Sequence, residues 1–342
     1  MDDEHPFIAE IRALPRDDAP RLIYADYLDD AGDPQGELIR VQVALSHLAP
    51  GDPERREFEL REDDLLEAYA DEWLAPLREL GAEGISARSL QRGLIERVRI
   101  NAASFWKHGN ELCRLAPALH CLELRGVAGA MSQLVTRPLP PQITVLDLNA
   151  SGAGPVEIDS LARSEWSAQI TDLSLSFNRL TDVAIQALVR GQWPRLVQLN
   201  VSVNRLGPES LRLLAQHVPP LALESLALSV NQTGDLGLQF LASAPLARSL
   251  RELDLGTTGV TARGLAQLAA SPLAATLQRL ILRGNPLGDG SETALAALAA
   301  APRLELLDLR GTHRVVPRSG YGTESRSPPV ALYKRLGAGL LW

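Results

Sequence analysis

A short apolar pattern of the form LxxLxL, often followed three residues later by Asn, recurs nine times along the 342-residue chain. Its third apolar position falls at Ile100, Leu124, Leu148, Leu175, Val201, Leu228, Leu255, Leu282 and Leu309. Two spacings of 24 residues are followed by spacings of 27, 26, 27, 27, 27 and 27. A regular period of this length is typical of a solenoid, in which each repeat is one unit that stacks on its neighbours.

Each repeat predicts one strand and one helix. The central LxL alternates apolar and polar residues, which is the pattern of a short strand with one buried face. The segments that begin at Thr181, Gly207, Thr261 and Ser291 instead place apolar residues at i, i+3 and i+4, so we expect an amphipathic helix of about three turns in each. A single repeat cannot bury both apolar faces, and neighbouring repeats must therefore stack. The sequence thus predicts an α/β fold, a curved solenoid with parallel strands on its concave side and helices on its convex side.

These copies resemble leucine-rich repeats, and the helix in every repeat is similar to the ribonuclease-inhibitor-like class. The resemblance covers about Leu94 to Thr312 and implies a buried Asn that bonds the backbone of the bend after the strand. This structural ladder comprises Asn178, Asn204, Asn231 and Asn285. At the same position Ser151, Thr258 and Thr312 offer a hydroxyl that makes part of those bonds, whereas Val127 cannot.

Residues 1–80 differ from the repeats in charge and in periodicity. They contain 22 acidic and 8 basic residues, against 20 acidic and 26 basic residues in the remainder. Helical periodicity with breaks at Ala31 and Ala49 predicts a small all-α domain. The stretch DDAPRLIYADYLDDAGDPQGELIRVQ resembles the repeat-companion domain, a module found beside repeat arrays in certain bacteria and without established activity. We expect residues 1–80 to cap the first repeat, with a docking module as the alternative.

The chain is expected to have three parts. Residues 1–80 form the acidic helical domain, residues 81–312 form a solenoid of about nine repeats, and residues 313–342 form a loop and a C-terminal cap or tail. The last part lacks the LxxLxL pattern and is rich in Arg, Pro, Ser and Gly. Its apolar end, VALYKRLGAGLLW, is suited to cover the last repeat, and a partner-binding tail is the alternative.

Motifs for catalysis, cofactors or metals are absent from the sequence. It contains no HExxH, GxSxG or GxxxxGK motif. His120 and Cys121 are adjacent in a predicted strand, where neighbouring side chains point to opposite faces, so they do not share one ion. We therefore expect no cofactor, no metal and no enzymatic activity.

Composition predicts a cytoplasmic protein that does not contact a membrane. Cys113 and Cys121 are the only cysteines, no apolar run approaches the roughly 20 residues of a membrane span, and the N-terminus is acidic. An acidic N-terminal domain also argues against a nucleic-acid partner, because phosphates repel it. Arg outnumbers Lys by 32 to 2, which favours a GC-rich bacterial genome as the source.

These features favour a monomeric scaffold or adaptor that binds another protein on the concave face. Because Leu173 and Leu175 point inward, the alternating residues between and beside them point to that face. The predicted partner-binding residues are Asp172, Ser174, Ser176, Gln198, Asn200, Ser202, Ser225, Ser229, Glu252, Asp254, Arg279, Arg283, Asp308 and Arg310. Two alternatives stay open, a regulator of an enzyme such as a GTPase, which rests on fold analogy alone, and a structural component of a larger assembly.

Overall fold

The computed structural model describes residues 6–14, 17–288, 290–312 and 339–341. The chain divides into two compact units, of which the first comprises Met1–Ala130 and Pro138–Asp147. The second comprises Met131–Arg137 and Leu148–Trp342. Most of the predicted C-terminal part, residues 313–338 and 342, lies outside the described residues.

Four helices open the first unit: α1 (Pro6–Ala13), α2 (Ala19–Asp30), α3 (Gln35–His47) and α4 (Arg55–Glu79). The chain leaves α2 through Gly32, whose φ of +73° suits glycine, and the interruptions before α3 and α4 coincide with the predicted breaks. Apolar residues of α1, α2 and α3, among them Ile11, Ala25 and Ile39, form one buried cluster with Leu94 and Ala118. This cluster joins the helices to the beginning of the repeats within the first unit.

The rest of the first unit carries the first three repeats. Its elements are β1 (Ala82–Glu83), a 3-10 helix (Ala87–Ser89), β2 (Leu90–Gln91), β3 (Leu94–Ile95), β4 (Arg97–Asn101), α5 (Ala102–Leu115), β5 (Cys121–Arg125) and β6 (Val145–Asp147). Strands β4, β5 and β6 are parallel neighbours, with Ile100 opposite Leu124 and Leu122 opposite Leu146. Strand β1 pairs antiparallel with β4, and β2 pairs antiparallel with β3.

The second unit alternates short strands with helices. Its helices are α6 (Met131–Leu134), α7 (Pro155–Ala162), α8 (Trp166–Gln169), α9 (Asp182–Leu188), α10 (Pro208–Ala215), α11 (Gly234–Ala242), a 3-10 helix (Pro245–Arg248), α12 (Ala262–Ala269), α13 (Pro272–Thr276) and α14 (Glu292–Ala299). Its strands are β7 (Asp172–Ser174), β8 (Gln198–Asn200), β9 (Ser225–Ala227), β10 (Glu252–Asp254), β11 (Arg279–Ile281), β12 (Leu306–Asp308) and β13 (Leu340–Leu341). The predicted α/β class, with parallel strands alternating with helices after four N-terminal helices, is confirmed.

The register of the strands places the leucines of successive repeats beside one another. Leu253 of β10 lies opposite Leu226 of β9 and Leu280 of β11, and all three side chains are buried. The third apolar positions Leu175, Leu228 and Leu255 are fully buried as well. At the last repeat, β13 adds a parallel strand to β12, with Leu340 opposite Leu307.

The repeat helices are shorter than expected. Helices α9, α10, α12 and α14 have seven to eight residues, about two turns rather than three. They do begin where predicted, since Thr181, Gly207, Thr261 and Ser291 are their N-terminal caps. The missing third turn is a separate short element in some repeats, because Pro272 cannot continue α12 and begins α13 instead.

Candidate functional site

The asparagines after the strands tie each repeat to the repeat before it. Asn285 is 1% exposed, and its Oδ1 accepts hydrogen bonds from the backbone N–H groups of Thr258, Gly259 and Val260 at 2.9–3.0 Å. Its Nδ2 donates to the carbonyls of Leu255 and Leu282 at 2.7 and 2.8 Å. The side chain therefore holds the bend of the preceding repeat as well as the end of its own strand.

The other three asparagines repeat this arrangement. Oδ1 of Asn178 accepts from the backbone N–H groups of Ser151 and Gly152, both at 3.1 Å. Oδ1 of Asn204 accepts from Asn178 and Leu180, and Oδ1 of Asn231 accepts from Leu206. Each Nδ2 also donates to carbonyls of its own and of the preceding repeat. The row of bonds fixes the bends relative to one another and so positions the strand side chains beside them.

Where a hydroxyl replaces the amide, only one part of this bonding is present. The hydroxyls of Ser151, Thr258 and Thr312 each donate to the carbonyl three residues earlier, at 2.7 Å. At Val127, which is fully buried, the side chain has no polar atom to offer.

The strands of the second unit present a row of polar side chains opposite their buried leucines. We define the polar strand face as the side chains of β7–β12 that point away from the core. It also includes the residue two positions after each strand, such as Ser176 after β7 and Arg283 after β11. Its exposed or half-buried members are Asp172, Ser174, Gln198, Asn200, Ser225, Glu252, Asp254, Arg279, Arg283 and Arg310. The alternation thus brings most of the predicted partner-binding residues to one side of these strands.

Four predicted partner-binding residues are buried in the free chain, and their contact with a partner stays a prediction. Ser176, Ser202 and Ser229 are 4%, 8% and 5% exposed because they lie where the strands enter the bends. Oγ of Ser229 donates to Oδ2 of Asp254 at 2.7 Å. Asp308 is 2% exposed, and its carboxylate accepts two hydrogen bonds from the guanidinium of Arg310. Burial would raise the pKa of Asp308, but the Arg310 hydrogen bonds and the nearby Arg283 hold that pKa below its usual range.

Charge on the polar strand face is concentrated in the last repeats. From its first strand to its middle, Asp172 is the one charged member, and Ser174, Asn200 and Ser225 are small or neutral polar side chains. Further along, Nε of Arg279 lies 3.7 Å from Oε1 of Glu252, and both side chains are about half exposed, so the pair is weak. Arg283 has no carboxylate within 4 Å among the residues described. The aliphatic part of the Arg283 side chain lies over Gly256, since a Cβ atom added to Gly256 would be 3.0 Å from Cγ of Arg283.

Sequence reasoning missed a second charged group, which lies on β4 and β5 of the first unit. We define the arginine cluster as Arg97, Arg99 and Arg125, whose guanidinium groups lie 3.1, 2.8 and 3.4 Å from the carboxylate of Glu123. Arg125 also lies 3.9 Å from Asp147, so three cations face two carboxylates. Burial would raise the pKa of Glu123, but hydrogen bonds from Arg99 and Arg97 hold that pKa below its usual range. The sequence signal for this cluster is the alternation in the strands RVRIN and CLELR, which places Arg97, Arg99, Glu123 and Arg125 on the same side of neighbouring strands.

Both cysteines are buried, and Cys113 is held in its thiol form. Cys113 and Cys121 form no disulfide, and burial raises the pKa of Cys113 to about 12. Within the described parts of the chain, no group of three or more His, Cys, Asp or Glu side chains is arranged to hold a metal ion. None of the described helices is both long enough and apolar enough to cross a bilayer.

Comparison with known proteins identifies the repeat. Residues 169–189 match the Leucine Rich repeat family. No curated protein shows significant sequence similarity to the chain. Among solved structures, a chain of the Rad7 and Elc1 complex from yeast is similar with a TM-score of 0.45 and 14% identity, over 85% of this chain and 72% of that one.

Two further solved structures are similar over shorter stretches. An internalin from Listeria monocytogenes has a TM-score of 0.36 and 18% identity, over 60% of this chain and 66% of its own. TLR13, in a complex with ssRNA13, has a TM-score of 0.38 and 19% identity, over 67% of this chain and 34% of its own. The matched segment holds β7 and Asn178, and the copies after it repeat the same strand register and the same asparagine bonding. The chain therefore carries leucine-rich repeats.

Proposed function

We propose that this protein is a non-catalytic scaffold that binds another protein on the polar strand face of β7–β12. The observation that supports the proposal is the distribution of side chains on that face. The neutral residues Ser174, Asn200 and Ser225 are followed by Arg279 and Arg283. Arg283 lies near enough to Asp308 to lower its pKa, but it forms no salt bridge within 4 Å among the described residues. A surface already fixed by backbone pairing loses little conformational entropy on binding, which favours recognition.

The charges indicate how a partner is oriented. Carboxylates of the partner would lie against Arg279 and Arg283, and neutral side chains would cover the middle of the face. Opposite charges at one end fix the register of a bound segment and exclude reversed orientations.

The remaining features of the proposal follow from the sequence. The N-terminal helices act as the cap of the first repeats, and in α1, α2 and α3 the residues Ile11, Ala25 and Ile39 bury apolar surface against Leu94 and Ala118. The repeats belong to the ribonuclease-inhibitor-like class, and the protein acts as a bacterial, cytoplasmic monomer. Two buried cysteines that form no disulfide suit a reducing compartment.

The experiment is a charge reversal on the polar strand face. The full chain is used as bait in lysate of its source organism, the co-purified protein is identified by mass spectrometry, and its Kd is measured with purified components. The double variant Arg279→Glu, Arg283→Glu should weaken binding at least tenfold. A matched control is Arg263→Glu, Arg303→Glu, since both arginines are exposed and lie off this face.

Circular dichroism of both double variants verifies that they are folded. Unchanged binding by Arg279→Glu, Arg283→Glu would contradict the proposal. If binding is instead lost in Asp63→Lys, Asp64→Lys, two exposed residues of α4, the acidic N-terminal helices are the docking module.

A further inference from the structure

In eight of the nine repeats, the residue just before the ladder position has a left-handed backbone. The residues there, with their φ angles, are Gly126 (63°), Ala150 (49°), Phe177 (58°), Val203 (53°), Val230 (57°), Thr257 (52°), Gly284 (68°) and Gly311 (65°). Glycine adopts this conformation without strain, whereas a β-branched side chain is a genuine outlier in it. Three repeats use glycine, and Val203, Val230 and Thr257 are β-branched. The larger side chains therefore occupy a position that the fold itself favours for glycine.

The strained residues are held side by side. The N–H of Phe177 donates to the carbonyl of Ser202 at 3.4 Å, and the N–H of Val203 donates to the carbonyl of Ser229 at 2.7 Å. The N–H of Val230 continues the row by donating to Gly256 at 2.8 Å. Neighbouring strands lie about 4.8 Å apart, so the three residues span about 10 Å.

These three residues also expose apolar surface. The side chain of Phe177 is 63% exposed, that of Val230 is 45% exposed, and that of Val203 is half-buried. We define the apolar ridge as Phe177, Val203 and Val230. Backbone strain clusters at functional sites because stability alone does not retain it. Here the strained residues present apolar side chains to solvent at the same position of three successive repeats.

Two arginines flank the apolar ridge. Arg179 and Arg205 each follow a ladder asparagine by one residue, and both are exposed. No carboxylate of the described structure lies within 4 Å of either guanidinium group. Carboxylates at the start of the neighbouring helices have other partners. Asp182 accepts from the N–H of Gly207 and the hydroxyl of Ser210, and Asp235 accepts from the N–H and hydroxyl of Thr261. The positive charge beside the ridge is therefore not neutralised by them.

We propose that the apolar ridge, with Arg179 and Arg205, is a docking surface for an acidic amphipathic segment of a protein partner. Apolar side chains of that segment cover Phe177, Val203 and Val230, and its Asp or Glu residues pair with the two arginines. The surface lies on the bends after the strands and is separate from the polar strand face. Burial of the ridge supplies affinity, and the charges supply orientation.

The test uses a phage-displayed library of random 16-residue peptides, selected on the full chain at low salt. The most enriched peptide is synthesised with a fluorescein label, and its Kd is measured by fluorescence anisotropy. We expect enriched peptides to combine apolar residues with Asp or Glu. We also expect at least a tenfold rise in Kd for the triple variant Phe177→Gly, Val203→Gly, Val230→Gly and for the double variant Arg179→Glu, Arg205→Glu.

Two controls separate this proposal from the preceding one. The double variant Ala150→Gly, Thr257→Gly places glycine at the same left-handed position in the repeats on either side of the apolar ridge. It should change the Kd of the peptide less than twofold. Arg279→Glu, Arg283→Glu should also leave peptide binding unchanged, so failure of the polar strand face does not count against the ridge. If the triple glycine variant unfolds, Phe177→Asn, Val203→Asn replaces it, because Asn tolerates the left-handed conformation and removes the apolar surface.

Three results would overturn the proposal. The first is a selection that enriches basic or uncharged peptides, or that enriches no peptide. The second is a Kd that the ridge and arginine variants do not alter. The third is a dimer in light scattering that the triple glycine variant dissociates, which would make a second copy of this chain the occupant.

Discussion

Replacing Asn285 by Ala tests whether the ladder holds the bends in place. The substitution removes six hydrogen bonds, but not every former partner is left unsatisfied. The carbonyl of Leu255 still accepts from the hydroxyl of Thr258, and the carbonyl of Leu282 still accepts from the N–H of residue 285. Gly259 is exposed, so water can replace the lost bond to its N–H.

Two buried groups remain without a partner, the N–H groups of Thr258 and Val260. These residues are 1% and 0% exposed. An unsatisfied buried N–H costs about 1–3 kcal/mol, so Asn285→Ala should lower the free energy of unfolding by about 2–6 kcal/mol. Asn178→Ala is the matched comparison. It leaves only the N–H of Ser151 buried and unpaired, because Gly152 is exposed, and should lose about 1–3 kcal/mol.

Urea denaturation followed by circular dichroism measures both losses, and hydrogen exchange reports the amides of Thr258 and Val260 directly. Faster exchange at these amides in Asn285→Ala is expected. A loss below about 1 kcal/mol for Asn285→Ala, or an equal loss for Asn178→Ala, would refute the reasoning, because the predicted difference depends on buried N–H groups.

Other predictions concern the core, an ion cluster and activity. Leu255→Ala should lower the free energy of unfolding in urea by about 2–5 kcal/mol, and a loss below about 1 kcal/mol would mean that the strand register is wrong. The folded pKa of Glu123 lies below its unfolded value, so its ionised form adds stability at neutral pH that is lost as pH falls through the folded pKa. Glu123→Gln should therefore be less stable at pH 7 and show a flatter decline of thermal stability in acid, and an unchanged acid profile would speak against this. Incubation with candidate GTPases should leave nucleotide hydrolysis at background; stimulation that depends on one Arg or Asn of this chain would favour the regulator hypothesis.

The strands and their register were predictable because the signal repeats. A one-residue slip would expose Leu173, Leu175 and their equivalents in every repeat, so the apolar pattern permits one register only. The starts of the helices were predictable for a similar reason, since Thr181 and Thr261 occupy the same place in the period. Helix length was not, because where a helix ends depends on local breaks such as Pro272.

The candidate site was less predictable than the fold. Alternation assigns a side chain to a face, but it does not show how deeply the side chain is buried. Ser176, Ser202 and Ser229 have the same parity as the exposed residues and are nevertheless covered where the chain turns into the bend. The left-handed backbone at Phe177 and Val230 was also hidden, because neither residue type indicates it. Only comparison with Gly284 and Gly311 at the same repeat position points to it.

The proposed binding to the polar strand face is tested most directly by site-specific photo-crosslinking to the co-purified partner. Benzoylphenylalanine is introduced at Ser225, in the middle of the face, and in a second protein at Arg263, on helix α12. The proposal predicts a crosslinked adduct with the partner from position 225 and none from position 263. An adduct from position 263 alone would contradict it and place the partner on the helices.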